Sequence, residues 1–132
     1  MGMSGMRVLL ADDQLKVRLA LKLLLEQEPG VHVVGEAVEA RELLVQVAAD
    51  CPDLVLLDWG LPEMAAEELL VALREVCPAL VVIVLSGQPE AGEHAVAAGA
   101  HAFVSKTDPP EQLLAAIEAA GQAGAQESGG GR

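Results

Sequence analysis

Apolar positions along this chain follow two rhythms. Unbroken apolar runs such as Val8-Leu9-Leu10-Ala11, Leu54-Val55-Leu56-Leu57 and Leu80–Leu85 have no helical spacing and read as strands covered on both faces. Shorter runs at Val31–Gly35 and Ala102–Ser105 complete the set, the first strand opening at Arg7. Between them the spacing turns helical. In Gln14–Glu28, residues Val17, Ala20, Leu21, Leu24 and Leu25 share one face, and Pro29-Gly30 ends the segment. Glu39–Asp50 turns Leu43, Leu44, Val47 and Ala48 inward, and Glu63–Val76 is anchored by Leu69, Leu70 and Leu73. A shorter helix is predicted over Glu90–Ala98, with Gly92 near its start. Pro109-Pro110 opens a last one through Leu113, Leu114 and Ile117 to Ala120.

Strands alternating with helices predict an α/β three-layer sandwich around a parallel sheet. Right-handed crossovers on both faces leave few topologies, of which we expect strand order 2-1-3-4-5, the flavodoxin-like form of the doubly wound sheet. Residues 1–6 read as an N-terminal extension, 7–120 as one domain, and 121–132, rich in Gly, Ala, Gln and Ser, as a flexible tail or truncated linker. Cys51-Pro52 and Cys77-Pro78 open the third and fourth strands alike, as two similar turns at the bottom of the sheet.

Composition narrows the class. A chain of 132 residues is one domain with a full core, and 52% of it is apolar. With one Trp, one Phe and no Tyr, that core is built from Leu, Val, Ile and Ala. A net charge of −12 argues against this segment gripping nucleic acid and otherwise serves solubility. Two cysteines without a secretory signal or nearby metal-ligand partners read as reduced thiols, which together with the lack of a membrane-length apolar run predicts a cytoplasmic protein.

The chemistry gathers at strand ends. In a doubly wound sheet, ligands bind just past the carboxyl ends of the strands. Those positions hold Asp12 and Asp13, Asp58, Ser86 and Lys106. Taken singly, each has an ordinary reading as helix cap, turn residue or solvated charge. Together, crowded carboxylates call for a hard divalent cation, for which Mg²⁺ suits the oxygen donors. A cation, an ammonium and a hydroxyl around one carboxylate form a receptor for phosphoryl oxygens, with the carboxylate placed to form an aspartyl phosphate.

Ala11-Asp12-Asp13-Gln14, Leu57-Asp58-Trp59-Gly60-Leu61-Pro62-Glu63-Met64, Val84-Leu85-Ser86-Gly87 and Phe103-Val104-Ser105-Lys106 resemble the marks of a response-regulator receiver domain. The resemblance runs from Arg7 to about Ala120. Val33–Ala37, Gly99-Ala100 and Lys106-Thr107-Asp108 are similar to the NarL/LuxR-like branch, whose members usually add a C-terminal DNA-binding domain. The resemblance implies Asp58 as phosphoacceptor, with Mg²⁺ held by Asp13, Asp58 and the Gly60 carbonyl, and by Asp12 through water. It implies that Lys106 pairs with the phosphoryl group and that Ser86 hydrogen-bonds it. Phe103 would swing with Ser86 to report the phosphorylated state, plain core packing being its alternative. The implied partners are a sensor histidine kinase or phosphotransfer protein, and a second copy in a phosphorylation-linked homodimer.

Departures from the family pattern bear on the switch. Ala66 stands where the family commonly has Gly, so a left-handed backbone there would cost about 1 kcal/mol. The interval from Ser86 to Lys106 is shorter than usual, within the family's switch surface. Leu15, Leu19 and Leu23 form a stripe on the first helix, opposite its core face. The stripe reads either as packed under the last helix or, by the resemblance, as a docking face for a partner helix, with Leu15 and Leu19 making the contact. Two other functions compete: a receiver-like module working without phosphorylation, and an Asp-nucleophile phosphatase. The position two residues past Asp58 is Gly60, so the general acid such a phosphatase needs is missing there.

Overall fold

The computed structural model describes the backbone of residues 5–130 and the side chains of residues 5–122. Its elements are β1 (Met6–Ala11), α1 (Leu15–Glu26), β2 (Val31–Ala37), α2 (Ala40–Ala49), β3 (Leu54–Asp58), α3 (Ala66–Val76), β4 (Val81–Ser86), α4 (Ala91–Ala97), β5 (Ala102–Ser105) and α5 (Pro110–Gly130). The strands form one parallel sheet in the expected order, β2-β1-β3-β4-β5.

The pleat explains why the central strands are apolar throughout. Val8 and Leu10 of β1, Leu54 and Leu56 of β3, and Ile83 and Leu85 of β4 point to one face, onto Leu25 of α1 and Leu113 and Ile117 of α5. Their neighbours Leu9, Ala11, Val55, Leu57, Val82 and Val84 point to the other, onto α2 and α3 and the small Ala95 of α4. Each strand thus feeds two cores, and alternation of side chains across the sheet divides one run between them. Parallel pairing then brings the carboxyl ends of β1, β3, β4 and β5 to one edge.

Several predicted boundaries move. The first helix begins at Leu15 rather than Gln14, and no side chain caps it. Asp12 instead accepts the Gln14 N–H, at 2.9 Å, so it braces the entry loop rather than capping the first turn. α3 begins at Ala66 rather than Glu63, and the left-handed residue is Glu63, with φ 89°. The strain expected at Ala66 therefore does not arise. Glu63 is held in this unfavourable conformation from outside its own loop. Its Oε1 accepts the Arg41 N–H at 3.0 Å and the Pro62 carbonyl accepts the Ala40 N–H, so the β3–α3 loop satisfies two orphan donors at the start of α2. The backbone of α5 runs to Gly130, past Ala120.

The cysteines are the clearest correction. Predicted as separate reduced thiols, Cys51 and Cys77 are joined as a disulfide, their Cα atoms 6.2 Å apart. Each lies just before a strand of one adjacent pair, in register Leu54 with Val81, so the two Cys-Pro turns lie side by side. Sequence alone shows the repeated turn but not that β3 and β4 are neighbours.

Candidate functional site

Four strand ends converge. β1 runs out into Asp12 and Asp13, β3 ends on Asp58, β4 on Ser86, and Lys106 follows β5. Two backbone bonds lock the tips together. The Trp59 N–H donates to the Leu85 carbonyl and the Lys106 N–H to the Ser86 carbonyl, each at 2.8 Å. The loop after β5 is fixed locally, since Asp108 accepts the Ser105 N–H and the Ser105 and Thr107 hydroxyls share a hydrogen bond.

Lys106 reaches across the sheet end to two carboxylates, its Nζ 2.8 Å from Asp12 Oδ2 and 3.2 Å from Asp58 Oδ1. Asp12 is buried and both its oxygens are engaged, Oδ1 by the Gln14 N–H and Oδ2 by Lys106. Asp13 is exposed, and Asp58 stands between, its Oδ1 also accepting the Gly60 N–H at 3.3 Å. Oxygens of Asp12, Asp13 and Asp58 all lie within 4.8 Å of one another.

The electrostatics follow from one ammonium serving two acids, with Asp13 adding a third carboxylate nearby. Burial, reinforced by the neighbouring Asp12 charge, raises the Asp58 carboxyl above its ordinary value, and Lys106 and the Gly60 N–H only partly oppose this. Burial works against the Lys106 ammonium, but the Asp12 hydrogen bond and the two carboxylate charges outweigh it and raise its pKa. Crowded, undercompensated carboxylate oxygens suit a hard divalent cation, and the donor set fits Mg²⁺.

The remaining predicted residues divide. Ser86 is buried at the tip of β4, and its Oγ accepts the Gln88 N–H at 3.0 Å, a turn bond. Phe103 is half-buried against the α2–α3–α4 core. Its ring lies over Gly92, where an added Cβ would come within 2.9 Å of the ring edge. Leu15, Leu19 and Leu23 are 59%, 49% and 65% exposed, so they do not pack under the last helix. No described helix is long and apolar enough to cross a membrane.

Sequence reasoning passed over Arg18. Its Nη1 donates to the Asp12 carbonyl at 2.8 Å and its Nε to Glu36 Oε1 at 2.7 Å. Lys22 holds the other Glu36 oxygen, and these two cations lower the Glu36 pKa, the Lys22 hydrogen bond most. An Arg on an amphipathic helix carries no signal of its own, because what it touches depends on where β2 lies.

This fold and site define a class. The family model described as the response regulator receiver domain matches residues 8–118, and the chain belongs to that family. It is 34% identical over 110 residues to the transcriptional regulatory protein UhpA of Salmonella typhimurium, covering 83% of this chain and 56% of UhpA. It is 38% identical over 108 residues to a protein-glutamate methylesterase/protein-glutamine glutaminase of a Nocardioides species, covering 79% of this chain and 30% of that protein. Among solved structures it superposes on a LuxR-family two-component response regulator from Aurantimonas sp. SI85-9A1. There the TM-score is 0.83 at 31% identity, over 91% of this chain and 87% of the other. Within the receiver class, the resemblance to the NarL/LuxR-like branch stands. The chain spans about half the length of the transcription regulators it matches.

Proposed function

We propose that this domain is a phosphorylation-dependent switch that accepts a phosphoryl group on Asp58 with Mg²⁺ bound beside it. The observation that carries the reading is Lys106 Nζ lying within 3.2 Å of both Asp12 and Asp58, with the Asp13 carboxylate alongside. Asp58 supplies the attacking oxygen. Its bond to phosphorus forms as the donor's phosphorus–nitrogen bond, in a phosphohistidine, breaks. Lys106 takes up negative charge on the phosphoryl oxygens, and Ser86 exchanges its turn bond to Gln88 for one of them. Asp13, Asp58 and the Gly60 carbonyl would hold Mg²⁺, which would neutralise charge at the phosphoryl oxygens. Asp12, with both oxygens already occupied, contributes through water. Phe103 swings with Ser86 and reports the phosphorylated state.

Acetyl phosphate and Mg²⁺ should add the mass of one phosphoryl group to the wild-type domain, and none to Asp58→Asn. An unmodified wild type would favour a module that works without phosphorylation. Turnover as a phosphatase is disfavoured by the site itself. Gly60 offers no acid to the leaving group, and Glu63, the first acid after Asp58, is turned to the Arg41 N–H. The domain therefore transfers to itself and loses the group slowly.

The donor is a histidine kinase or phosphotransfer protein whose helix docks on Leu15 and Leu19, with Leu23 at the margin. Support comes from their exposure beside the site, because apolar stripes of this kind mark contact surfaces. Leu15→Asp with Leu19→Asp should slow phosphotransfer from the cognate kinase about tenfold or more. Acetyl phosphate should label the double variant as fast as wild type, and equal loss with both donors would reject docking. The output is transcriptional control through a DNA-binding domain outside this chain, with phosphorylation-linked pairing of two copies. The net charge of −12 disfavours nucleic-acid contact by the domain itself, and membership of the receiver family, rather than the state of its cysteines, supports a cytoplasmic setting.

A further inference from the structure

We infer that Arg18 is a positioning residue for the metal site, holding the Asp12–Asp13 peptide in the orientation that presents Asp13. The inference rests on the Mg²⁺ reading above and concerns a residue whose recorded side-chain bonds go to the Asp12 carbonyl and to Glu36, not to the carboxylates of Asp12, Asp13 or Asp58. Arg18 lies in the first turn of α1, and side chains on a helix lean toward its N-terminus, so this one reaches back over the loop it follows. Only 12% of its side chain is exposed.

Asp12 is fixed at every polar group. Its N–H donates to the Ala37 carbonyl at 3.0 Å, its carboxylate takes the Gln14 N–H and Lys106, and its carbonyl takes Arg18 at 2.8 Å. That carbonyl belongs to the peptide joining Asp12 to Asp13. Asp13 is exposed, and that peptide plane sets the direction in which its side chain leaves the backbone toward the site. Arg18 pins the plane with one arm of a rigid fork while the other is braced on Glu36.

The brace is itself anchored. Glu36 is held by Lys22 at 3.0 Å through its second oxygen, and its carbonyl accepts the Gln46 amide at 2.7 Å. Gln46 fits there because Gly35 has no side chain, and a Cβ at that position would stand 2.6 Å from the Gln46 Oε1. The chain of contacts therefore runs from α2 through β2 and α1 to the metal-binding loop.

Charge and position predict opposite outcomes, which makes the inference decidable. Arg18 is a cation beside an acidic site, so by charge alone Arg18→Gln should tighten Mg²⁺ binding and Arg18→Lys should leave it unchanged. If Arg18 acts by position, both variants weaken binding, because Lys lacks the fork. We expect a loss of about tenfold, the usual scale for residues that orient metal ligands. Mg²⁺ affinity is measured calorimetrically on the whole chain, well below its melting temperature. Fluorescence of Trp59, the single Trp and next to Asp58, gives a second readout. Lys22→Gln removes the other cation from Glu36 without touching the loop, and should not weaken binding. Unchanged or tighter binding in Arg18→Gln, with wild type binding normally, overturns the Arg18 role alone. Equal weakening in Lys22→Gln also overturns it, by assigning the effect to Glu36 rather than to the pinned peptide. A wild type that does not bind Mg²⁺ removes the metal reading and this inference with it.

Discussion

Lys106→Met should destabilise the metal-free domain at neutral pH by about 3 kcal/mol, the low end for breaking a buried ion pair. The reason is asymmetry. Asp12 and Asp58 keep only 3% and 12% of their side chains exposed, and both lean on this ammonium. Removing it leaves two carboxylates facing each other with little water to replace it. The melting temperature should fall by roughly 10 °C. Mg²⁺ should narrow the gap, because a bound cation takes over the neutralisation, and Asp58→Asn in the same chain should recover part of the loss. A Lys106→Met protein as stable as wild type, with or without Mg²⁺, would mean that the three groups do not share one site in solution.

The second large effect has the opposite sign. Asp58→Asn should abolish phosphorylation and yet make the metal-free domain more stable at neutral pH. Burial and the Asp12 charge hold the Asp58 carboxyl above its ordinary value. A carboxyl of raised pKa ionises less readily folded than unfolded, so its ionisation favours unfolding. The penalty is absent below the unfolded value of about 3.9 and complete once pH exceeds the folded one. Asn removes that charge while still offering an oxygen to the Gly60 N–H and Lys106. Melting curves from pH 4 to 8 should therefore show Asp58→Asn gaining on wild type by several degrees as pH rises. The advantage should shrink when Mg²⁺ stabilises the wild type. A variant less stable than wild type at pH 7 would show that Lys106 fully compensates the carboxylate and that no destabilising charge is stored there. A bound divalent cation would relieve that charge, which is why the advantage of Asn should shrink when Mg²⁺ is present.

Both expectations depend on contacts between residues far apart in the chain, and this sets what could be read beforehand. The apolar runs at Val8–Ala11, Leu54–Leu57 and Val81–Leu85 had to be strands covered on both sides, and their polar ends had to lie at one edge once the sheet was parallel. Asp12, Asp13, Asp58 and Lys106 were legible for that reason, since strand ends are local features that topology gathers. Glu63 was not. Its left-handed backbone is tolerated because Arg41, on another helix, needs an acceptor, and nothing near Glu63 in the chain signals that need.

The Cys51–Cys77 bond has the same origin, because two similar turns become partners only when β3 and β4 become neighbours. Ser86 shows the limit from the other side. Its place at the tip of β4 was predictable, but the choice of Gln88 as its partner is a turn geometry fixed by the folded loop. By itself the sequence determined the alternation of elements, the two-sided core and the acids, hydroxyl and amine at the strand tips, because hydrophobic period and strand polarity act within a few residues. Only the tertiary structure decided that Arg18 pins the Asp12 carbonyl, that Glu63 rather than Ala66 bears the left-handed turn, and that the Leu15 stripe faces water. Those outcomes turn on which distant group arrives to pair or cover each side chain, and chain order does not encode arrival.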